Sequence, residues 1–511
     1  MKVPPSVLFI LSDQHTAQCM GCAGHPVVQT PNLDRLATDG VWFRNAICQS
    51  PICSPSRVSY LSGQYCHNHG YYGNAGPNPG GLPNLLGHFR RSGYVTAAVG
   101  KIHCPEYWIE DDADFFREVY DNCSVGRAPE YTAYLKEKGL LELRDDGAYP
   151  EMTEPGQLNT DGRASSLPYA DSVEGYTVRQ SIAFMEDAVE NGRPFFVHAS
   201  LPRPHSSYCP SEPFWSMYDD VDLQLPPSTD YDMSLKAPTM REERAMFERG
   251  DWTVFEPRTH EAARLRKLQG YLGCVSQVDH AVGELLDWLE QATVADNTIV
   301  VYASDHGDYV CQHGLMEKAP GICSDAITRV PFFWRWPGQI ASGYTCEQLV
   351  EAVDVSATLC ALTGLDQMLT SDGRDLSALL AGGSEPVREI AVTEHAWSKS
   401  VRKGKYRLVY YPPQMFTEQY PDGFGELYDL EVDPWEMSNL YFAPESRTVV
   451  DELTRDLLAW LITTTRIKTI APAKRDEDSG WQVMRRHKTA VHADSKISPR
   501  GFADLWNRNY L

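Results

Sequence analysis

The 511-residue sequence predicts an α/β fold, a large sheet with helices on its faces followed by a smaller α+β unit. Three observations lead there. Short apolar runs rich in Val, Ile and Phe alternate with longer helical patterns. Four of those runs end in carboxylate, amide, amine or imidazole side chains. From about residue 385 the texture changes to short strand-like stretches separated by Asp-Pro and Asp-Gly turns.

In chain order, "VLFILSDQ" predicts a strand ending at Asp13 and Gln14, and "YVTAAVGKIH" a strand running into Lys101 and His103. "RPFFVHASLPRPH" leads to His205, and "NTIVVYASDHGD" ends at Asp305 and His306. Ligands of open α/β sheets bind outside the carboxyl ends of the strands. One polar strand end means little, because strands commonly end that way. Four together put Asp, Gln, Lys and His from distant positions on one edge of one sheet.

Before the last of these strands, Leu265, Leu268, Leu272, Val275, Val278, Val282, Leu285, Leu286 and Leu289 recur at spacings of three and four. That is a helix with one buried face. Further on, "KYRLVYYPP" and "ELYDLEVDP" predict strands of a small antiparallel sheet, and residues 449–465 an amphipathic helix. The expected division is a catalytic unit over 1–380, a C-terminal subdomain over 381–465 and a tail over 466–511. The tail is polar and basic and ends in the aromatic "FADLWNRNYL". We expect it to be loosely ordered and to dock on the core or on another subunit of a homo-oligomer.

Composition narrows the partners. The chain has 46 Lys and Arg against 69 Asp and Glu, a net charge of −23, and no Lys/Arg run. Nucleic acid and anionic membranes are therefore poor partners, and an anionic substrate would need a local cationic pocket. No segment approaches the ~20 apolar residues of a membrane span. The apolar run Val7–Leu11 is shorter than the ~7–15 residues of a signal-peptide core, so a cytoplasmic location is expected. The 13 cysteines are scattered and odd in number, which suits reduced thiols. Cys19 and Cys22 form a lone CxxC, read as coincidence.

Cys53 is unusual. In "QSPICSPSRVSYLSGQY" it sits among small polar residues, with Pro51 and Pro55 beside it and Arg57 four places on. Three readings compete: an incidental loop thiol, a thiolate nucleophile with a histidine base, or a cysteine that is itself a precursor.

The motif C-x-P-S-R followed by "VSYLSG" resembles the sulfatase signature, in which the cysteine is oxidised to Cα-formylglycine. "SDQHTAQCMGCAGHPVVQTPNLDRLATDGVWFRNAICQSPICSPSR" is similar to the family's N-terminal block, "SDHGDYVCQHGLMEK" to its second metal block, and "ELYDLEVDPWEMSNL" to its C-terminal signature. The resemblance spans roughly residues 5–445. It implies an alkaline-phosphatase-like fold, a mixed central sheet with a smaller C-terminal α+β subdomain, and hydrolysis of a sulfate monoester to an alcohol and inorganic sulfate. It also implies a formylglycine-generating enzyme as maturation partner.

The chemistry of the implied group is coherent. An aldehyde hydrate offers one hydroxyl to attack sulfur, and its second hydroxyl can release sulfate as the aldehyde re-forms. Pro55 suits the first turn of a helix "PSRVSYLSG", whose unpaired N–H groups would face the sulfate. Arg57 would hold the nucleophile's oxygens or the metal carboxylates by charge-assisted hydrogen bonds.

By the same resemblance, Asp13, Gln14, Asp305, His306 and the residue at 53 bind one divalent cation. Many sulfatases carry Asp-Asp and Asp-Asn there, with Ca²⁺; the Gln and His of this chain favour a softer ion such as Mn²⁺. "GKIH" matches the family's G-K-x-H element, so that Lys101 would bind a sulfate oxygen and His103 would take a proton during sulfate release. His205 and Lys318 match positions that stabilise the leaving alkoxide, and Asn74 a position where some relatives bind sulfate through an amide. His67 and His69 would shape a nearby loop and His313 would lie behind the metal block, whereas His15, His25, His88 and His280 have nothing to single them out.

Two other functions remain to be weighed. Phosphonate monoester and phosphodiester hydrolases of the same superfamily share the Asp-Gln/Asp-His set, but they replace the lysine and histidine of G-K-x-H with hydroxyl residues. Lys101 and His103 therefore favour sulfate esters. A catalytically inactive binding protein on this fold would have lost a central residue, and none is lost here. The variable segments 104–190 and 208–258 are expected to line the rim, their aromatic residues either stacking on a small-molecule or saccharide substrate or packing as core.

Overall fold

The computed structural model describes residues 4–74, 81–119, 128–144, 162–249, 261–318 and 322–466. The large sheet is assembled from β1 (Ser6–Asp13), β2 (Val41–Ile47), β3 (Val95–Gly100), β4 (Phe115–Glu118), β5 (Phe195–Pro204), β6 (Thr298–Ser304), β7 (Phe332–Arg335) and β8 (Tyr344–Glu351). Their order is β4-β3-β5-β1-β6-β7-β2-β8. From β4 to β6 the neighbours are parallel. β7 runs antiparallel to both β6 and β2, and β2 and β8 are parallel, so the sheet is mixed.

β1 lies at the centre, and every one of its residues is buried. A strand covered on both faces reads as a continuous apolar run rather than an alternating one, and "SVLFIL" does. Val7, Phe9 and Leu11 pack with Val58, Leu61 and Phe89 on one face. Leu8 and Ile10 pack on the other with Val278, Val282 and Leu285 of the helix Glu261–Gln291 and with Val178 and Met185 of the helix Val173–Glu190. Each such side chain contributes roughly 1.5–3 kcal/mol of burial. The long helix serves two cores in succession. Leu268, Leu272 and Val275 join a separate cluster with Tyr208, Tyr218 and Tyr309, and Leu265 is only half-buried against it.

The smaller sheet comprises β9 (Ala391–Glu394), β10 (Lys399–Lys403), β11 (Tyr406–Tyr410) and β12 (Gly425–Asp429), antiparallel in the order β12-β11-β10-β9. Val392, Val401, Leu408 and Leu427 pack against Val450, Leu453, Leu457 and Trp460 of the helix Arg447–Thr464. Tyr65 and Val353 from the larger unit complete this core. The smaller sheet also braces the approach to Cys53: Thr393 Oγ1 donates to Cys48 O at 2.6 Å and Glu394 N to Gln49 O at 2.8 Å.

Of the described aromatics of 208–249, Tyr208, Phe214, Tyr218 and Phe247 are buried as core, and Trp215 and Tyr231 are half-buried. Trp252 and Phe255, like the tail from residue 467, lie outside the described residues. The described cysteines, Cys19 and Cys22 included, are free thiols. Among the described residues no helix is long and apolar enough to cross a membrane.

Candidate active site

The register of β1 on β6 pairs Ser12 with Ser304. Asp13 and Asp305 thus leave the sheet side by side. The side chain at 53 reaches them from a helix that spans Cys53–Ser62, two residues earlier than the sequence suggests, and Cys53 is itself buried in its first turn. Cys53 Sγ lies 3.1 Å from His306 Nε2 and 3.9 Å from Asp13 Oδ1. One ligand atom each from Asp13, Cys53, Asp305 and His306 fall within 4.8 Å of one another, all four residues buried.

Two of the N–H groups at the start of this helix are already engaged. Ser54 N donates to Asn74 Oδ1 at 3.1 Å, Ser56 N donates to Ile52 O at 3.2 Å, and Pro55 has no N–H. Asn74 therefore caps the helix with its amide oxygen. Ser54 Oγ donates to His103 O at 2.7 Å, which ties the following loop to the same turn.

Arg57 is wholly buried and reads both carboxylates. Nε donates to Asp305 Oδ2 and Nη2 to Asp13 Oδ2, each at 2.8 Å, while Nη1 reaches Ser200 Oγ at 2.8 Å and the Lys101 carbonyl. Of the two roles anticipated for Arg57, it fills the second. Lys101 Nζ lies 2.8 Å from Asp13 Oδ2. The chain turns into Lys101 at Gly100, where φ is +109° and an added Cβ would sit 1.8 Å from Ser200 O; only glycine fits. Burial alone would raise the Asp13 carboxyl, but Lys101, Arg57 and His306 outweigh it and hold it well below the usual range. For His306, burial opposes the charge, yet Asp305 and Cys53 push its pKa up to about 9.

Gln14 has φ +70°, an uncommon backbone for a side-chain-bearing residue. Its N–H donates to Asp305 Oδ1 at 3.0 Å, and its Oε1 accepts from Lys318 Nζ at 2.7 Å. Lys318 Nζ also lies 3.0 Å from His205 Nε2, and His205 Nδ1 lies 2.8 Å from Ser206 O. This network assigns a neutral His205, with its proton on Nδ1 and Nε2 accepting from the lysine. Burial, then Lys101 and Lys318, keep its pKa well below 6.5. His103, at φ +46°, has both ring nitrogens buried without a hydrogen-bond partner. Burial and the nearby Lys101 and Arg57 depress its pKa strongly as well.

The residues singled out from sequence are thus brought together. Asp13, Gln14, Cys53, Arg57, Lys101, His205, Asp305, His306 and Lys318 form one polar network, and His103 and Asn74 flank it through Ser54. His67 and His69 are held away from it, bonded to Glu394 and Ser59, and His313 to the Tyr231 hydroxyl. Sequence reasoning missed Ser200, Tyr208, Asp308 and Glu317. Asp308 and Glu317 stood inside the quoted "SDHGD" and "LMEK" runs and carried a signal; Ser200 and Tyr208 carried none.

The donor set fits a divalent cation. Two buried carboxylates and an imidazole converge with the side chain at 53, and the pull of that cluster on a proton at His306 is the pull expected on a metal ion.

A mixed sheet in this strand order with a site at its carboxyl edge is an alkaline-phosphatase-like α/β fold. The phosphonate monoester hydrolase of Agrobacterium radiobacter shares the fold, with a TM-score of 0.72 at 24% identity over 90% of this chain and 96% of that one. The sulfatase family profile matches residues 5–365, and a profile for the C-terminal part of N-sulphoglucosamine sulphohydrolase matches residues 312–462. The chain belongs to the sulfatase family, whose members are sulfuric ester hydrolases. It is 27% identical over 477 residues to an arylsulfatase of Clostridium perfringens, covering 89% of this chain and 94% of the relative. It is 28% identical over 461 residues to a choline-sulfatase of Rhizobium meliloti, covering 88% and 84%.

Proposed function

We propose that the protein hydrolyses a sulfate monoester to an alcohol and inorganic sulfate, with residue 53 serving as a formylglycine hydrate. The observation that carries this reading is the place of the Cys53 side chain. It sits 3.1 Å from His306 and 3.9 Å from Asp13, in the first turn of a buried helix whose Arg57 bridges Asp13 and Asp305. A hydroxyl there suits a hard cation and a sulfuryl centre.

Asp13, Gln14, Asp305, His306 and the residue at 53 would hold the divalent cation, Ca²⁺ or Mn²⁺. When bound, the cation supplies the positive charge that acidifies a hydroxyl and draws electron density from a sulfate oxygen. The remaining roles fall to the chain's own groups. Lys101 offers an ammonium at the sulfate oxygens. His103, uncharged and with both ring nitrogens unengaged, is placed to take a proton from the second hydroxyl of the hydrate. Against the cost of burial, Cys53, Glu317 and Asp13 push the Lys318 pKa up and hold it in its charged form. With His205 it stabilises the leaving alkoxide. The maturation partner is a formylglycine-generating enzyme.

Lys101 and His103 favour sulfate over phosphonate esters. The test is kcat/KM of matured enzyme on aryl sulfates, sulfated sugars and choline sulfate, with a phosphonate monoester as control. The sulfate esters should be preferred; faster phosphonate turnover would transfer the protein to the other hydrolase class. A relative being a choline-sulfatase and a substrate-bound neighbour holding D-glucosamine-2-N,6-O-disulfate support a compact alcohol or a saccharide as the organic part.

A further inference from the structure

Gln14 is gripped from behind. Its Nε2 donates to Asp308 Oδ2 at 2.6 Å and to Glu317 Oε2 at 2.9 Å, so both protons of the amide are taken by carboxylates. With the amino group so engaged, Oε1 faces the other way, where Lys318 Nζ donates to it at 2.7 Å. A reversed amide would set Oε1 against two carboxylates and its amino group against an ammonium, and both contacts repel.

The grip is itself built. Asp308 Oδ2 accepts from Tyr208 Oη at 2.7 Å, and Oδ1 accepts from Val310 N at 2.7 Å and from Glu317 N at 3.1 Å. Glu317 adopts φ +67°, an uncommon backbone that the loop maintains here. Beyond Gln14, Glu317 Oε2 also comes within 3.8 Å of Lys318 Nζ.

We infer that Asp308 and Glu317 are positioning residues that orient the Gln14 amide oxygen toward the cation-binding cluster and exclude a carboxylate from position 14. A glutamate there would bring a third negative oxygen into contact with the pair. The inference rests on the reading of Asp13, Gln14, Asp305 and His306 as a cation site, and not on sulfate being the substrate. Groups that orient metal ligands without touching the metal typically set affinity by ~10–100-fold.

The test is the affinity of the full-length protein for Mn²⁺, measured by isothermal titration, with far-UV circular dichroism to confirm folding. Glu317→Ala should weaken Mn²⁺ binding at least tenfold, and Glu317→Gln, which keeps an acceptor, should recover most of that loss. Gln14→Glu should also bind at least tenfold more weakly, although a carboxylate is the better cation ligand in isolation. Adding Glu317→Gln and Asp308→Asn to Gln14→Glu should restore binding, because the opposing charges are gone. A Gln14→Glu protein that binds as tightly as the parent, or a loss below tenfold in Glu317→Ala, overturns the inference. Both measurements read out whether or not any sulfate ester is turned over. Failure of the sulfatase reading is thus seen separately, in the substrate panel.

Discussion

Arg57 and Asp13 form a fully buried ion pair, Nη2 to Oδ2 at 2.8 Å, and the same guanidinium donates to Asp305 from Nε. One planar fork therefore holds together carboxylates from opposite ends of the larger unit. Removing it leaves two buried charges short of a partner. Arg57→Ala should cost ~3–5 kcal/mol in urea unfolding, the usual penalty for a broken buried pair. Arg57→Lys should recover only part of that, since an ammonium cannot fork.

Cys53→Ala should abolish turnover and cost no more than about 1 kcal/mol of stability, within the range of an ordinary point substitution. Mass spectrometry of the peptide bearing residue 53, from protein co-produced with a formylglycine-generating enzyme, should find aldehyde in place of thiol. Residual turnover in the alanine variant would mean another group is the nucleophile.

Lys318 bonds both Gln14 Oε1 and His205 Nε2. Lys318→Ala should lower kcat by ~10²–10³, as loss of one preorganised oxyanion donor does. The loss should grow as the leaving alcohol becomes less acidic. The measurement is the slope of log kcat/KM against leaving-group pKa across aryl sulfates; an unchanged slope removes Lys318 from leaving-group stabilisation.

Gly100 and Gly93 both have strongly positive φ, at +109° and +94°, but only Gly100 has backbone in the way, with Ser200 O at 1.8 Å from a built Cβ. Gly93→Ala meets open space and should pay only the backbone strain, ~1–2 kcal/mol. Gly100→Ala must also separate β3 from β5 and displace Lys101. It should lose clearly more stability by chemical denaturation, and activity with it.

Acid stability should follow two buried histidines to which the proposed chemistry assigns no role. Burial and Arg57 hold His198 down at about 3, and burial and Lys399 do the same for His395. Unfolded, each binds a proton near pH 6.5. Between those values the unfolded chain carries the extra protons, so stability is complete above pH 6.5 and falls as pH drops. Each histidine contributes a slope of about 1.4 kcal/mol per pH unit in that window. His395→Gln should flatten the fall in unfolding free energy between pH 6.5 and 5 by that amount, and an unaltered slope would place the titration elsewhere.

Much of the fold was legible because burial on both faces writes itself as unbroken apolar runs. β1, β3, β5 and β6 were each marked by such a run, with Asp13, Lys101, His205 and Asp305 standing just beyond its end. The helix Glu261–Gln291 was marked by its leucine and valine spacing. The site's members were legible for the same reason, since a parallel sheet collects its strand ends along one edge.

What the sequence by itself determined, then, is which residues leave the sheet on that edge. Only the tertiary structure decided how they pair: that Arg57 spans Asp13 and Asp305, that Asn74 caps the helix of Cys53, and that Asp308 and Glu317 turn the Gln14 amide toward Lys318. Periodicity reports burial because burial acts on each residue through its own neighbours along the chain. A hydrogen bond depends instead on direction over a few ångströms between segments hundreds of residues apart. That direction exists only once strand register and loop conformation have been set by packing.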